Sequence, residues 1–194
     1  MSFLRGIYDW TLALAETRFA LLALAVVAFV ESSFFPIPPD VMLIPMILAA
    51  RNKAFLIAGI CTLASVLGGA FGYWIGAELF DSVAKPILDF YHKGEYFEEF
   101  RARFNEYGPW AVLFAGVTPF PYKVITITSG ATGLDFWVFM ISSVIARAMR
   151  FFLVAFLLWK FGAPIRAFIE ERFGLVATVA IVLLFGGFLL VRFL

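Results

Sequence analysis

The chain has 194 residues, of which 63% are hydrophobic and only 15% charged, far below the roughly 25% charged content of a soluble domain, so a soluble globular reading is excluded. Fifteen Lys and Arg against fourteen Asp and Glu leave a net charge of +1, which supplies neither a basic nucleic-acid footprint nor an acidic tail. A single cysteine, Cys61, sits in an apolar run; it excludes an intramolecular disulfide and a cysteine-rich metal site, and neither a metal nor a cofactor is expected.

Residues 1–18 read as an interfacial N-terminal segment that is retained, because no small-residue cleavage site ends the apolar stretch after it. In 19–50 two apolar runs are separated by Glu31 and by Phe35-Pro36-Ile37-Pro38-Pro39-Asp40. Neither run reaches the roughly 20 residues that a helix needs to cross the hydrocarbon core. Proline removes backbone donors and breaks helices, and bare backbone at membrane depth survives only where protein or water shields it. The segment therefore reads as a first re-entrant hairpin. Residues 54–77 carry no charge over 24 positions, about 36 Å of helix, and form a span. The stretch 78–109 is a polar amphipathic loop with aromatics among its charges (Phe90, Tyr91, Tyr96, Phe97, Phe100, Phe104), the pattern of a helix lying on the interface. Its His92, the chain's one histidine, reads as a solvated loop residue. In 110–134 the run breaks at Pro119-Phe120-Pro121-Tyr122-Lys123, a second re-entrant hairpin. Residues 136–159 form a span with Arg147 and Arg150 turned inward, 160–173 a further interfacial segment, and 174–191 a C-terminal span ended by Arg192.

The fold class that results is an all-α integral membrane protein with about three membrane-spanning helices and two re-entrant helical hairpins, flanked by amphipathic interfacial helices. A shift of 83 residues lays Pro36-x-Pro38-x-Asp40-Val41 on Pro119-x-Pro121-x-Lys123-Val124, with a span following each. The single crossing between them makes the hairpins enter from opposite sides, which is an inverted repeat, and transporters place sites where such repeats meet. Seven Lys and Arg on the N-terminal side against five on the other put the N-terminus in the cytoplasm.

Five charged residues fall at membrane depth: Glu31, Asp40, Lys123, Arg147 and Arg150. Each costs about 2.5–3.5 kcal/mol at the bilayer centre even on lenient scales, so they must face one another or water. Arg147 and Arg150, three apart on one helix face, outnumber the two acids together with Lys123; that balance suits an anionic head group, although a static clamp between the repeats accounts for the same charges. Asp40 precedes a returning half-helix, where an N-cap and the positive dipole end favour its ionised form, and it is expected to approach Lys123. Glu31 follows a half-helix, and the negative dipole end makes it the proton-exchanging member. Gly68, Gly72 and Gly76 recur every four residues, a face on which another helix approaches closely.

Glu31 with Pro36-x-Pro38-Pro39-Asp40, Gly68-x-x-x-Gly72-Tyr73-x-x-Gly76, the Pro119-x-Pro121-x-Lys123 segment and Arg147-x-x-Arg150 together resemble the DedA (SNARE-associated, VTT-domain) family, nearest its YqaA-like branch. The resemblance implies a multi-pass protein of the bacterial inner membrane with two opposed re-entrant hairpins. It further implies proton-motive-force-linked transport, with membrane lipids or polyprenyl phosphates flipped or scrambled, and essential acids and arginines at Glu31, Asp40, Arg147 and Arg150. Many relatives have arginines at two positions around the second hairpin where this chain has Val117 and Lys123, and lysine lacks the bidentate fork of arginine. The implied partners are lipid phosphate head groups and protons, without nucleic acid, and a homo-oligomer is compatible with the sequence. Two other readings stay open: a scaffold that transports nothing, and an intramembrane hydrolase, against which stands the lack of a deep histidine or second deep aspartate beside Ser32, Ser33, Ser129 or Asp40.

Overall fold

In the computed structural model, residues 19–35, 38–91, 94–118 and 120–162 are described. The expectations for 1–18, for 174–191, for all but the start of 160–173, and for Pro36, His92 and Pro119 lie outside them. The described residues fold as helices and turns: α1 (Ala20–Ser33), α2 (Asp40–Ala49), a 3-10 turn (Arg51–Lys53), α3 (Ala54–Leu79), a π-helical turn (Phe80–Ala84), α4 (Lys85–Phe90), α5 (Gly94–Val117), α6 (Tyr122–Ala131) and α7 (Phe136–Phe161).

Among the described residues, two helical stretches are long and apolar enough to cross a membrane by length and composition, Arg51–Ala84 and Phe136–Phe161. Trp137 and Trp159 stand exposed near the two ends of α7. Their 22-residue separation corresponds to about 33 Å of helix, close to the ~30 Å hydrocarbon thickness that interfacial aromatic belts bracket. By contrast α2 and α6 have 10 residues each, about 15 Å, half of that thickness.

Helix directions follow from which residues meet. Phe55 packs on Trp159 and Tyr73 on Phe136, with ring centroids 5.9 and 5.4 Å apart, so α3 and α7 are antiparallel. Asp40 meets Arg150 and Arg51 meets Gly162, so α2 runs alongside α7 in the same direction. Tyr122 lies against Gly69, Thr126 against Gly72 and Ile127 against Gly76, which sets α6 parallel to α3. Gly116 faces Ala146 and Thr118 faces Arg150, which sets α5 parallel to α7. The chain therefore reverses between α5 and α6, around Pro121. A displacement of 83 residues carries the ends of α2 and α3 onto those of α6 and α7, and the end of α1 onto that of α5, to within one residue.

One boundary differs from the sequence-based expectation. A loop ending at 109 and a hairpin arm beginning at 110 are in fact a single helix, α5, which carries Pro109 inside it. The abrupt change from charged to apolar composition at Trp110 marks a change of environment along one helix, not an end. The polar half of α5 is tied to the end of α6, where Arg101 Nε and Asn105 Nδ2 both donate to the Thr132 carbonyl, at 2.8 and 3.0 Å. These bonds satisfy an acceptor that the end of the helix leaves open.

Two apolar clusters result. One gathers α1, α2, the first half of α3 and the end of α7, including Leu24, Leu43, Ile57, Phe151 and the buried free thiol of Cys61; the other joins Val112, Tyr122, Leu134 and Phe139. The glycine face of α3 touches both halves of the chain. A Cβ at Gly68 would strike the Phe29 backbone of α1, one at Gly76 the Ile127 backbone of α6, and one at Gly72 the side chain of Thr126. Backbone cannot yield as a flexible side chain does. Gly68→Ala and Gly76→Ala should each cost about 1–3 kcal/mol through overpacking, read as a lower thermal midpoint in detergent. Gly59→Ala, which meets nothing within 4 Å, should leave that midpoint unchanged or raise it.

Candidate functional site

Helix α7 starts where Asp135 Oδ1 accepts the Val138 amide at 2.8 Å, an N-cap satisfying one of the orphan donors of the first turn. Twelve residues on from Asp135, near mid-helix, stands Arg147, 1% exposed and the bulkiest of the fully buried side chains. Its Nη2 pairs with Glu31 Oε2 at 3.2 Å and its Nε donates to Ser65 Oγ at 2.6 Å. The guanidinium carbon lies 4.7 Å from the ring centroid of Tyr122 and 4.6 Å from that of Phe151. Because those rings belong to different apolar clusters, Arg147 joins the two clusters as well as the two charges. Planar and weakly hydrated, a guanidinium tolerates this sandwich where an ammonium would not.

One turn further along α7, Arg150 Nη2 pairs with Asp40 Oδ2 at 2.7 Å and Nη1 donates to the Thr118 carbonyl at 2.8 Å. The two acids stand on either side of the first chain break, Glu31 in the last turn of α1 and Asp40 at the first residue of α2. Thr118 follows α5, at the second break. A single turn of α7 thus holds three edges of the two breaks, and Thr126 Oγ1 adds a bond from α6 to the Ser32 carbonyl at 3.1 Å. Ser32, Ser33, Ser65 and Thr126 are buried beside it, a polar layer between two apolar clusters.

The structure brings together four of the five charges expected at depth, in two ion pairs that leave out the fifth. Asp40 does not pair with Lys123: its partner is Arg150, because α2 runs along α7 whereas Lys123 sits on α6 along α3. Lys123 is half-buried at the second residue of α6, with no ion pair among the described residues. Nor is Asp40 the N-cap; Pro39 holds that position, no side chain caps the helix, and Asp40 lies in the first turn, where the helix dipole still favours its charge. Glu31 lies inside the last turn of α1 rather than beyond it. Of the breaking prolines, Pro39 is buried, Pro38 and Pro121 are exposed, and Pro36 and Pro119 lie outside the described residues. Ser65 and Tyr122 escaped the sequence reading of the site, and Ser32 entered it only as a candidate hydrolase nucleophile. A usable signal existed for Ser65: it lies one turn after Cys61 and one turn before Gly69, on the small-residue face of α3, where a small polar residue faces another helix.

Acid–arginine pairs set among apolar helices, two of them of spanning length, are compatible with a helical membrane protein. The VTT domain matches residues 37–160, from just before α2 almost to the end of α7. An uncharacterized protein of Haemophilus influenzae is 38% identical over 182 residues, covering 92% of this chain and 94% of that protein. An uncharacterized homologue from Histophilus somni is 39% identical over 180 residues, covering 91% and 94%. No solved structure matches. The chain belongs to the VTT-domain, or DedA, family, a family of membrane domains generally linked to membrane transport or homeostasis.

The pairing predicts a specific coupling pattern. In a double-mutant cycle of thermal stability, Asp40→Asn and Arg150→Gln should be non-additive by about 1–3 kcal/mol, whereas Asp40→Asn and Lys123→Met should add to within about 0.5 kcal/mol. Coupling to Lys123 as strong as that to Arg150 would contradict the geometry.

Proposed function

We propose that this protein moves a lipid phosphate or polyprenyl-phosphate head group across the bacterial inner membrane, with protons as the coupled species and the N-terminus in the cytoplasm. The observation that carries the reading is the meeting of both chain breaks on one turn of α7, where Arg147 and Arg150 hold Glu31, Asp40 and the Thr118 carbonyl. Half-length helices α2 and α6 and the reversal between α5 and α6 support two re-entrant hairpins of opposite entry, an arrangement that directs broken helix ends to the bilayer midplane. In this reading Arg150, the more accessible arginine, exchanges Asp40 for the anionic head group. Lys123, lacking a carboxylate partner among the described residues, offers a further positive charge at the second break. Glu31 carries the proton, and its neutralisation releases Arg147.

The burial of Arg147 favours a second reading, a static clamp that supports the envelope without transport. Removing one member of a buried pair costs about 3–5 kcal/mol, so single Arg147 variants confound folding with function. Arg150 is the better probe, its side chain being 21% exposed.

A head-group-resolved translocation assay in proteoliposomes, run with and without a pH gradient, separates the readings. Wild-type protein should move phosphate-bearing lipid faster under the gradient. Arg150→Ala should reduce translocation at least about tenfold with the protein still inserted and monodisperse, and Glu31→Gln, which mimics the protonated acid, should abolish the response to the gradient. Loss of Arg150→Ala from the membrane, together with an inert wild type, would instead favour the clamp.

A further inference from the structure

Ser65 is fully buried on α3, and its hydrogen bonds have a fixed polarity. Arg147 Nε can only donate, so Ser65 Oγ accepts, at 2.6 Å. The Ser65 proton is then available to Ser32 Oγ, also at 2.6 Å, and Ser32 donates to Glu31 Oε2 at 3.3 Å. With the direct Arg147–Glu31 contact at 3.2 Å, side chains from α1, α3 and α7 close a ring in which every donor points toward the carboxylate. That polarity suits an ionised Glu31. A proton placed on Oε2 turns that oxygen into a donor: Ser32 then accepts from Glu31, the Ser32 proton must turn away from the carboxylate and back toward Ser65, and Arg147 loses the charge opposite Nη2.

We propose that Ser65 is a positioning residue that, through Ser32, couples the charge of Glu31 to the orientation of the Arg147 guanidinium. The proposal rests on the reading of Glu31 as the proton-exchanging group. Neighbouring Ser33 provides the contrast. Its hydroxyl donates to the backbone carbonyls of Phe29 and Gly68, at 2.7 and 2.9 Å, so it ties α1 to α3 without entering the ring. Among the described residues, the other titratable or charged groups within electrostatic reach of the ring are Asp40 on α2, the Cys61 thiol on α3, Tyr122 on α6 and Arg150 on α7; none of them receives a hydrogen bond from Ser65.

The test reads the Glu31 proton directly, independently of transport. Infrared difference titration of the full chain in detergent, with the carboxyl band assigned by its loss in Glu31→Gln, gives the protonation midpoint of Glu31. Each link removed takes a donor from the chain that ends on the ionised carboxylate, so its loss should move the midpoint upward relative to the wild type by at least about half a pH unit, or roughly threefold in proton affinity. Ser65→Ala and Ser32→Ala should both do so, each breaking a different link, and either suffices if the other fails to fold. Ser33→Ala should leave the midpoint in place. An unmoved midpoint in the folded ring variants, an equal shift in Ser33→Ala, or a wild-type protein whose Glu31 does not titrate between about pH 4 and 9 overturns the proposal. Inert proteoliposomes combined with shifted midpoints would defeat the transport reading and leave the ring standing.

Discussion

A guanidinium with almost no access to solvent, Arg147, sets the terms for the rest of the structure. Its charge must be met from several helices at once, because no single neighbour offers both a carboxylate and the remaining hydrogen-bond acceptors. Glu31 arrives from α1, Ser65 from α3, and the faces of Tyr122 and Phe151 close the two sides. Each requirement fixes a helix position: α1 must end where its last turn reaches α7, α3 must pass close enough to present a serine, and the start of α6 must deliver an aromatic ring. Arg150 repeats the logic one turn later by holding Asp40 and the Thr118 carbonyl, so the two breaks are fastened to a common point.

The second constraint is closeness. With glycines at 68, 72 and 76, α3 receives the backbones of α1 and α6 without intervening side chains. On α6, Gly130 returns the contact against the Tyr73 backbone. This brings the polar atoms of Ser32, Ser65 and Thr126 within bonding distance across helix boundaries. A layer of hydroxyls is therefore affordable between two apolar clusters, since most of its members find partners that larger side chains on α3 would have kept away.

Proline positions, long uncharged runs and deep charges are local properties, and the sequence displays them. The expected spans 54–77 and 136–159 fall inside α3 and α7, and the separation between α1 and α2 coincides with the Pro36–Pro39 break. Pairing is not local. Asp40 and Lys123 occupy equivalent places in the 83-residue repeat, yet positions related by a repeat belong to different helices with different neighbours. Only the direction of α2 along α7 brings Asp40 to Arg150. Continuity of α5 past residue 110 was hidden for a related reason: hydropathy records what surrounds a helix, whereas the helix itself persists through Pro109 because its neighbours support it.

The placement of Cys61 has a practical consequence. The chain contains one cysteine, and it is fully buried in the cluster formed by α1, α2, α3 and α7. A thiol so enclosed has no route to an aqueous maleimide or a spin-label reagent while the protein is folded. The natural sequence is therefore already a silent background for site-directed labelling. Reporter cysteines at exposed positions of the polar interfacial stretch, such as Tyr91 or Tyr107, would carry the whole signal, and reaction at Cys61 itself would serve as an internal alarm that the helices around it have come apart.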